Sequence, residues 1–510
     1  MAPNRMELRE FAEQVLFGTT LAGKLTAPGA LTDEHPGPAL AAPPAPGKSD
    51  FPGLHRLDVY SQSKGRPPSV FVFNAFTESR LAEGKAFNPT KHQAQLARDL
   101  ENLPQFLGRE DDLVLVSRPP AIEFLSRIKA AGFPLPEFVV LGEHGRAARM
   151  PPGLAARKLG RLRPWAWGPD SCELLKPLFA SVTGETRADE QRFNPGLARL
   201  YSKAWSADFL RRMLAGPGQP PGWLCTENEA GVAVRSLADA RAAIARIRAR
   251  GHHAVVVKQA LGVAGSNALR LLEPEILAPQ WRWLENTLAH GQELVIEPWL
   301  DRLRDFSVQL EMTAQGLKLC GFTGLATDAR GQFVANFAEP HYHQRLPAAV
   351  GSLFREPAGL ASRLPAFYQD LLARLEPELR AVDFTGPIGL DALVYRDDHG
   401  GVRLKPVVEI NPRYTLGRVL VELMRTACQN SAGLLRLVNP AQLRAAGVAD
   451  FPAYARALAE KFPLQFEDRP EPRLREGALC LNDPAEAKAC LAVFQVARSL
   501  APFRPETGAA

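Results

Sequence analysis

At 510 residues, with 46% hydrophobic and 23% charged residues, the chain has an ordinary globular composition and is too long for one hydrophobic core, so about three domains are expected. A net charge of +6 over that length suits acidic small molecules as partners and does not by itself call for nucleic acid. No run of eighteen apolar residues is present, so no membrane span is expected. The six cysteines (Cys172, Cys225, Cys320, Cys428, Cys480 and Cys490) lack C-x-x-C spacing, which argues against zinc and a disulfide framework and fits a reduced cytoplasm.

The first segment, residues 1–21, lacks a secretory h-region and has a helical stripe of Leu8, Phe11, Val15 and Leu16. A Pro/Ala/Gly-rich stretch over 22–55 follows, too rich in proline for a helix or a central strand, and reads as a linker or strap. Residues 56–200 carry "SVFVFN" (69–74), a helical stretch at 90–102, "DLVLVS" (112–117), a helix at 120–131 and "FVVL" (138–141). Strand and helix alternating in this way predict a parallel α/β sheet.

Residues 201–291 form the next unit, opening with a helix near 203–215. Its clearest element is "SLADARAAIARIRARG" (236–251), a helix with a Ser236 N-cap, an apolar stripe of Leu237, Ala240, Ile244 and Ile247, and a Gly251 stop. The strand "HAVVVKQ" then enters a glycine-bearing turn, "ALGVAGSN". The third unit, 292–435, begins with the strand "ELVIEPWL" (293–300). "DFSVQLEM" (305–312) and "LKLCGFTG" (317–324) predict a hairpin about Gln315-Gly316, and a long helix is expected near 358–382. "PIGLDALVY" (387–395) and "RLKPVVEIN" (403–411) predict a second hairpin, turned by "RDDHGG". Residues 436–510 read as a C-terminal helical extension without evident chemistry.

"VVEINPRYTLGR" (407–418) raises a question. On a strand, Glu409 and Asn411 point to one face while Val408 and Ile410 point to the other. Asp391 lies on the predicted partner strand. Charges on apolar strands need partners, and two carboxylates with an amide oxygen repel unless a cation joins them. Magnesium suits such a set, because it takes oxygen ligands, one or two carboxylates and the oxygens of phosphates. Lys258, at the end of its strand, and the backbone amides of 262–267 could hold those phosphates, since glycine lets a backbone approach an anion closely.

The ordered series "VVVKQALGVAGSN", "LVIEPWLDRLRDFSVQ", "GLDALVY" and "VVEINPR" resembles the ATP-grasp superfamily over about residues 70–435. The resemblance implies an α/β and α+β chain: a pre-ATP-grasp α/β domain followed by two α+β lobes that clasp ATP. It implies that Lys203 opens the central lobe as the first nucleotide-contacting lysine and that Lys258 meets the α- and β-phosphates. Gly262, Gly265 and Ser266 would lie in the phosphate-covering loop. Glu297 would meet the adenine amino group, with backbone atoms near Trp299 and Leu300 on the ring edge and Asp305 on the ribose. Asp391, Glu409 and Asn411 would hold magnesium, with manganese as the alternative metal, and Arg413 would sit near the transferred phosphate. The implied reaction is ATP-dependent ligation of a small-molecule or peptide carboxylate to an amine through an acyl phosphate. A hydroxyl kinase and a non-catalytic nucleotide- or RNA-binding protein are the alternatives.

Three features depart from the family pattern. Many members carry a glycine two residues beyond the loop's serine, where the run here is "GSNAL"; Gly389 stands where many amino-acid ligases carry an arginine; and the segment between Glu297 and Asp305 carries Arg302 and Arg304. Asp301 competes with Asp305 for the ribose role. His341 and His343 in "EPHYHQR" lack an evident third metal ligand, so an ordinary polar loop is the reading preferred, with a place beside the acceptor left open. For "ARKLGRLRPWAW" (156–167), domain packing by Trp165 and Trp167 is preferred to a nucleic-acid contact.

Overall fold

In a computed structural model, the structure describes residues 65–144, 147–183, 192–216, 221–262, 268–327, 333–340, 342, 348–355, 363–467 and 472–500. The N-terminal helix and strap, Gly265, Ser266, His341 and His343 lie outside the described residues.

The first domain is built on the apolar runs found in the sequence. Strands β1 (Val70–Val72), β2 (Leu113–Val116) and β3 (Glu137–Val140) are all parallel, and β6 (Leu162–Pro164) joins β1 on its other side, giving the order β3-β2-β1-β6. A small hairpin, β4 (Gly142–His144) and β5 (Ala147–Arg149), stands beside it. Helices α1 (Thr77–Glu83), α2 (Lys91–Asp99) and α3 (Ile122–Ala130) connect the strands. The central strands of a parallel sheet are covered on both faces, and β1 and β2 are buried throughout, whereas the edge strand β3 is partly exposed.

The middle lobe follows. Helix α4 (Lys203–Leu214) is capped by Ser202, and α5 (Leu237–Arg248) by the Ser236 side chain, which accepts from Asp239 N as its sequence signature implies. The lobe's sheet runs β7 (Val232–Val234), β10 (Leu294–Pro298), β8 (Ala254–Gln259) and β9 (Ala268–Leu272) in spatial order, all antiparallel. The boundary set at 292 is corrected here: β10 belongs to this sheet, because it pairs with β7 and β8, so the next lobe opens at Asp301.

The third lobe contains a nine-stranded antiparallel sheet. Its order is β15 (Val402–Asn411), β14 (Gly386–Arg396), β11 (Asp301–Thr313), β12 (Gly316–Thr327), β13 (Phe333–Ala338), β16 (Ala432–Val438), β19 (Leu491–Ala497), β18 (Arg473–Cys480) and β17 (Gln465–Glu467). Both predicted hairpins are present, β11–β12 and β14–β15. One face of β11 and β14 presents Phe306, Val308, Leu310, Ile388 and Leu390, which join Leu364, Tyr368, Leu371 and Leu375 of helix α6 (Arg363–Arg380) in one core. The opposite face is polar and carries the candidate site. Helix α7 (Leu416–Leu423), capped by Thr415, packs on that face.

The reading of 436–510 as a helical extension needs correction. Helix α8 (Phe451–Lys461) is there, but β17, β18 and β19 extend the large sheet, and all seven residues of β19 are buried. A short, continuously apolar run such as "LAVFQVA" has no period that separates a central strand from a buried helix.

Candidate active site

Register decides what the polar face presents. Asp391 of β14 lies directly opposite Glu409 of β15, and Gly389 opposite Asn411. Asp391 is in turn opposite Ser307 of β11, which is opposite Thr323 of β12. The row Glu409, Asp391, Ser307, Thr323 therefore crosses four strands. Next to it runs Asn411, Gly389, Gln309, Gly321. Ser307, Gln309 and Thr323 are buried, and Gln309 Nε2 donates to Ser307 Oγ at 2.8 Å.

The acids sit at the open end of these rows. Asn411 Nδ2 donates to Asp391 Oδ2 at 3.2 Å, and Arg413 Nη2 donates to Asn411 Oδ1 at 3.1 Å. Burial, followed by the charge of Glu409, pushes the Asp391 carboxyl up to about 6. Two facing carboxylates with an amide oxygen beside them form an oxygen donor set that a divalent cation would relieve of its repulsion. The residues thus fit magnesium, with Asp391, Glu409 and Asn411 as the donors. Among the described residues no group of three His, Cys, Asp or Glu is placed to hold a metal ion, so carboxylates alone do not complete a coordination sphere here.

Cations reach this acid pair from two directions. Lys203, at the start of α4 and 9% exposed, lies 3.0 Å from Glu409 Oε1 and donates to the Gly262 carbonyl at 2.7 Å. Arg413 is held from the first domain: its Nε donates to Glu78 Oε1 of α1 at 2.5 Å. Glu78 is buried, and its Oε2 makes no hydrogen bond among the described residues. The Tyr201 hydroxyl donates to the Trp167 and Pro412 carbonyls, and Tyr414 N donates to Trp165 O, so the turn after β15 is braced by the first domain. Trp165, 7% exposed and packed on Phe73 and Tyr414, serves packing as expected.

The interlobe cleft holds a second charged group. Glu297 of β10 pairs with Lys258 of β8 and with Lys405 of β15, the latter at 2.5 Å. Burial alone would raise the Glu297 carboxyl, but the two ammonium groups outweigh it and hold it at about 2. Lys258 moves down instead, because burial is its largest influence and the second cation, Lys405, opposes its attraction to Glu297. The two shifts differ because Glu297 has two opposite charges and Lys258 has one. These side chains fill the cleft: the hollow lined by Lys203, Lys258, Glu297 and Lys405 is only about 10 Å³.

The residues assigned from sequence fall as follows. Lys203, Asp391, Glu409, Asn411 and Arg413 come together, and Lys258 and Glu297 meet across β8 and β10. Gly262 lies above Lys203. Trp299 and Leu300 form the two-residue link from β10 to β11, and Trp299 N donates to Ala254 O. Arg270 and Arg302 both lie over the Trp299 ring, at 5.1 and 4.6 Å. Asp305 is 11% exposed at its side chain and accepts from Thr327 Oγ1 at 3.1 Å, with Arg302 3.4 Å away, whereas Asp301 is exposed. The Glu297 carboxylate is occupied by lysines, so an adenine amino group would compete with Lys258 and Lys405 for it.

Sequence reasoning missed two residues. Lys405 shares the alternation of Glu409 and Asn411 on β15, a signal that was available. Glu78 has none, being 335 positions from Arg413. The departure at Gly389 also has a cause: a Cβ there would lie 2.6 Å from Thr415 Cγ2, so an arginine has no room.

No protein-family model matches the sequence, and no curated protein matches it significantly. Among solved structures, the chain is similar to N5-carboxyaminoimidazole synthetase from Staphylococcus aureus, at 10% identity over 86% of this chain and 95% of that one, TM-score 0.43. A biotin carboxylase from Campylobacter jejuni matches at 13% identity over 84% and 87%, TM-score 0.43. Rhizobium etli pyruvate carboxylase matches at 13% identity over 85% of this chain and 36% of that one, TM-score 0.45. These likenesses are too distant to carry chemistry to particular residues. Among the described residues no helix is long and apolar enough to cross a membrane.

Proposed function

We propose that this protein is an ATP-dependent ligase that activates a substrate carboxylate as an acyl phosphate and joins it to an amine, releasing ADP and phosphate. The observation that carries this reading is the direct pairing of Asp391 with Glu409, flanked by Asn411 and Arg413 on one side and approached by Lys203 from another element. Asp391, Glu409 and Asn411 would hold magnesium, or manganese in its place, and the metal would neutralise charge on the nucleotide's outer phosphates.

The rest of the chemistry falls to the chain's own side chains. Lys258 turns from Glu297 to the α- and β-phosphates, and Lys203 orients the phosphate chain beside Glu409. Asp305 meets the ribose, and the Trp299–Leu300 link borders the adenine. Arg413, fixed by Glu78, stabilises the charge of the phosphoryl group as the substrate carboxylate attacks it. The loop at 262–267 would cover the intermediate and keep water from it. Because Gly389 and Thr415 close the place of the usual arginine, the substrate acid is recognised by other groups than in many amino-acid ligases.

Hydroxylamine tests the reaction class. Supplied in place of the amine with a panel of carboxylic acids and magnesium-ATP, it should yield a hydroxamate with ADP in equal amount. A hydroxyl kinase would form ADP without hydroxamate, and AMP as the main product would reject the acyl-phosphate route altogether.

A further inference from the structure

A cavity of about 760 Å³ lies between the first domain and the third lobe, away from the interlobe cleft. Its first-domain wall is the leading end of the parallel sheet, with Ser69 and Phe71 at β1, Asp112 before β2 and Arg161 and Arg163 at β6. Its other wall is the turn end of β11–β12 together with Tyr414 and α7. Its volume is that of a small-molecule site.

Its charge is lopsided, since seven cations and three carboxylates line it. Every lining carboxylate is already engaged. Asp112 pairs with Arg66; Glu311 sits between Arg163 and Arg418, at 2.5 and 2.8 Å; Glu422 pairs with Arg418 and Arg425. Arg109, Arg161 and Lys318 make no ion pair or side-chain hydrogen bond among the described residues. The floor is aromatic, with Arg163 over both Phe71 and Tyr414.

The cavity does not open into the candidate active site. Glu311 is four residues along β11 from Ser307, about 13 Å at the usual strand rise. Gln309, 1% exposed, fills the interval, and Thr323, fully buried, lies beside Ser307 at its far end. A Cβ on Gly417 would lie 2.6 Å from Gln309 Nε2, so α7 is packed tightly over that barrier.

We propose that this cavity is a second anion site, separate from the nucleotide cleft, that takes a small ligand bearing two or more phosphate groups. A concave wall carrying three exposed, uncommitted cations, with half-buried Arg163 and buried Arg418 behind them, matches a compact polyanion, and guanidinium forks match phosphate oxygens. A phosphorylated metabolite and inorganic polyphosphate share this chemistry. Tyr414 follows Arg413 directly, so the ligand would touch the turn that carries the phosphate-facing arginine.

Tripolyphosphate is the probe, titrated calorimetrically in EDTA into the full chain, into K258A and into R161E/K318E. One saturable site is expected in the wild type and in K258A. In R161E/K318E binding should weaken about a hundredfold, roughly tenfold for each of the two charge-assisted hydrogen bonds removed. R161Q/K318Q, which removes charge without reversing it, should weaken binding too, and circular dichroism should show every variant folded as the wild type. A sugar bisphosphate competing for the site would identify a metabolite as the source; competition only by longer polyphosphate would identify the polymer. The proposal is overturned by an absence of saturable binding. It is also overturned if K258A loses the site while R161E/K318E keeps it, if tricarballylate binds more tightly than tripolyphosphate, or if these residues bind a short RNA and no tripolyphosphate.

Discussion

Lys405 of the third lobe reaches across to Glu297 of the middle lobe, its Nζ 2.5 Å from Oε2, and both side chains are almost fully buried. With Lys258 on the other carboxylate oxygen, one acid holds two cations and ties the lobes together. A buried ion pair adds little over an apolar substitute, but breaking one strands a charge. The consequences of removing each member therefore differ in size.

Lys405→Met leaves Glu297 paired with Lys258 and places a side chain of similar length in the same slot. Glu297→Gln leaves two buried ammonium groups facing each other. The first should cost about 1–2 kcal/mol and the second about 3–5 kcal/mol of stability. Urea unfolding of both variants checks the order, and an equal or inverse ranking would show that the triad does not organise the join between the lobes.

The same triad sets an acid limit. The folded Glu297 carboxyl is held at about 2, below its unfolded value of 4.5. An acid with a depressed folded pKa stabilises above the unfolded value and loses that contribution as pH falls through the folded one. The wild type should thus lose on the order of 3 kcal/mol from this group between about pH 4.5 and pH 2. Glu297→Gln should be less stable at neutral pH and show a shallower decline over that window. Thermal midpoints across the acid range, compared between the two proteins, give the result; parallel curves would remove Glu297 from the acid response.

Much of this was legible in the sequence, for identifiable reasons. Asp391, Glu409 and Asn411 could be placed on one hairpin because alternation fixes the side to which a strand residue points and "RDDHGG" turns β14 into β15, but the register shift between Asp391 and Leu393, which brings Glu409 rather than Val407 opposite Asp391, has no sequence signal. Lys258 could be read from its place at a strand end before a glycine turn, whereas Lys203 followed only from the family resemblance that the ordered motifs carry. Alternation within β15 does not tell how far a lysine reaches into a neighbouring lobe, and so Lys405 was missed. Glu78 was invisible for a stronger reason: it meets Arg413 only because α1 docks against the turn after β15, a tertiary relation without a local pattern. The final strands failed because β19 is buried throughout and β18 carries charges and a glycine, so neither shows the half-buried alternation that marks an edge or surface strand.

Gly389 supplies a test of packing at the site. The space of its missing side chain is occupied by Thr415, whose hydroxyl accepts from Arg418 N as the cap of α7 and donates to Gln309 Oε1 at 2.7 Å. Gly389→Ala should cost about 1–3 kcal/mol through overpacking against Thr415 Cγ2. Thr415→Ser deletes that methyl and keeps the hydroxyl, so the double variant should recover at least half of the loss. A double-mutant cycle in urea measures the coupling, and additive effects would show that the two positions do not compete for space.

The last prediction separates a metal site from a pair of acids that merely share a strand end. Asp391 ionises near 6 in the fold because it is buried and faces Glu409, against 3.8 in the unfolded chain. Between those values the folded protein keeps a proton that the unfolded chain has released, so stability falls as pH rises through the window. Asp391→Asn has no proton to lose there. Without magnesium it should be more stable than the wild type above about pH 6, and the difference should shrink toward about pH 4. Magnesium should raise the thermal midpoint of the wild type above that window and leave Asp391→Asn and Glu409→Gln unmoved. Glu409→Gln also loses the charge that Lys203 meets at 3.0 Å, so its magnesium-dependent ATP turnover should fall by about a hundredfold or more while its fold is retained. A midpoint that responds to magnesium equally in all three proteins would place the ion elsewhere, and near-normal turnover in Glu409→Gln at saturating magnesium would end the assignment of this acid pair to catalysis.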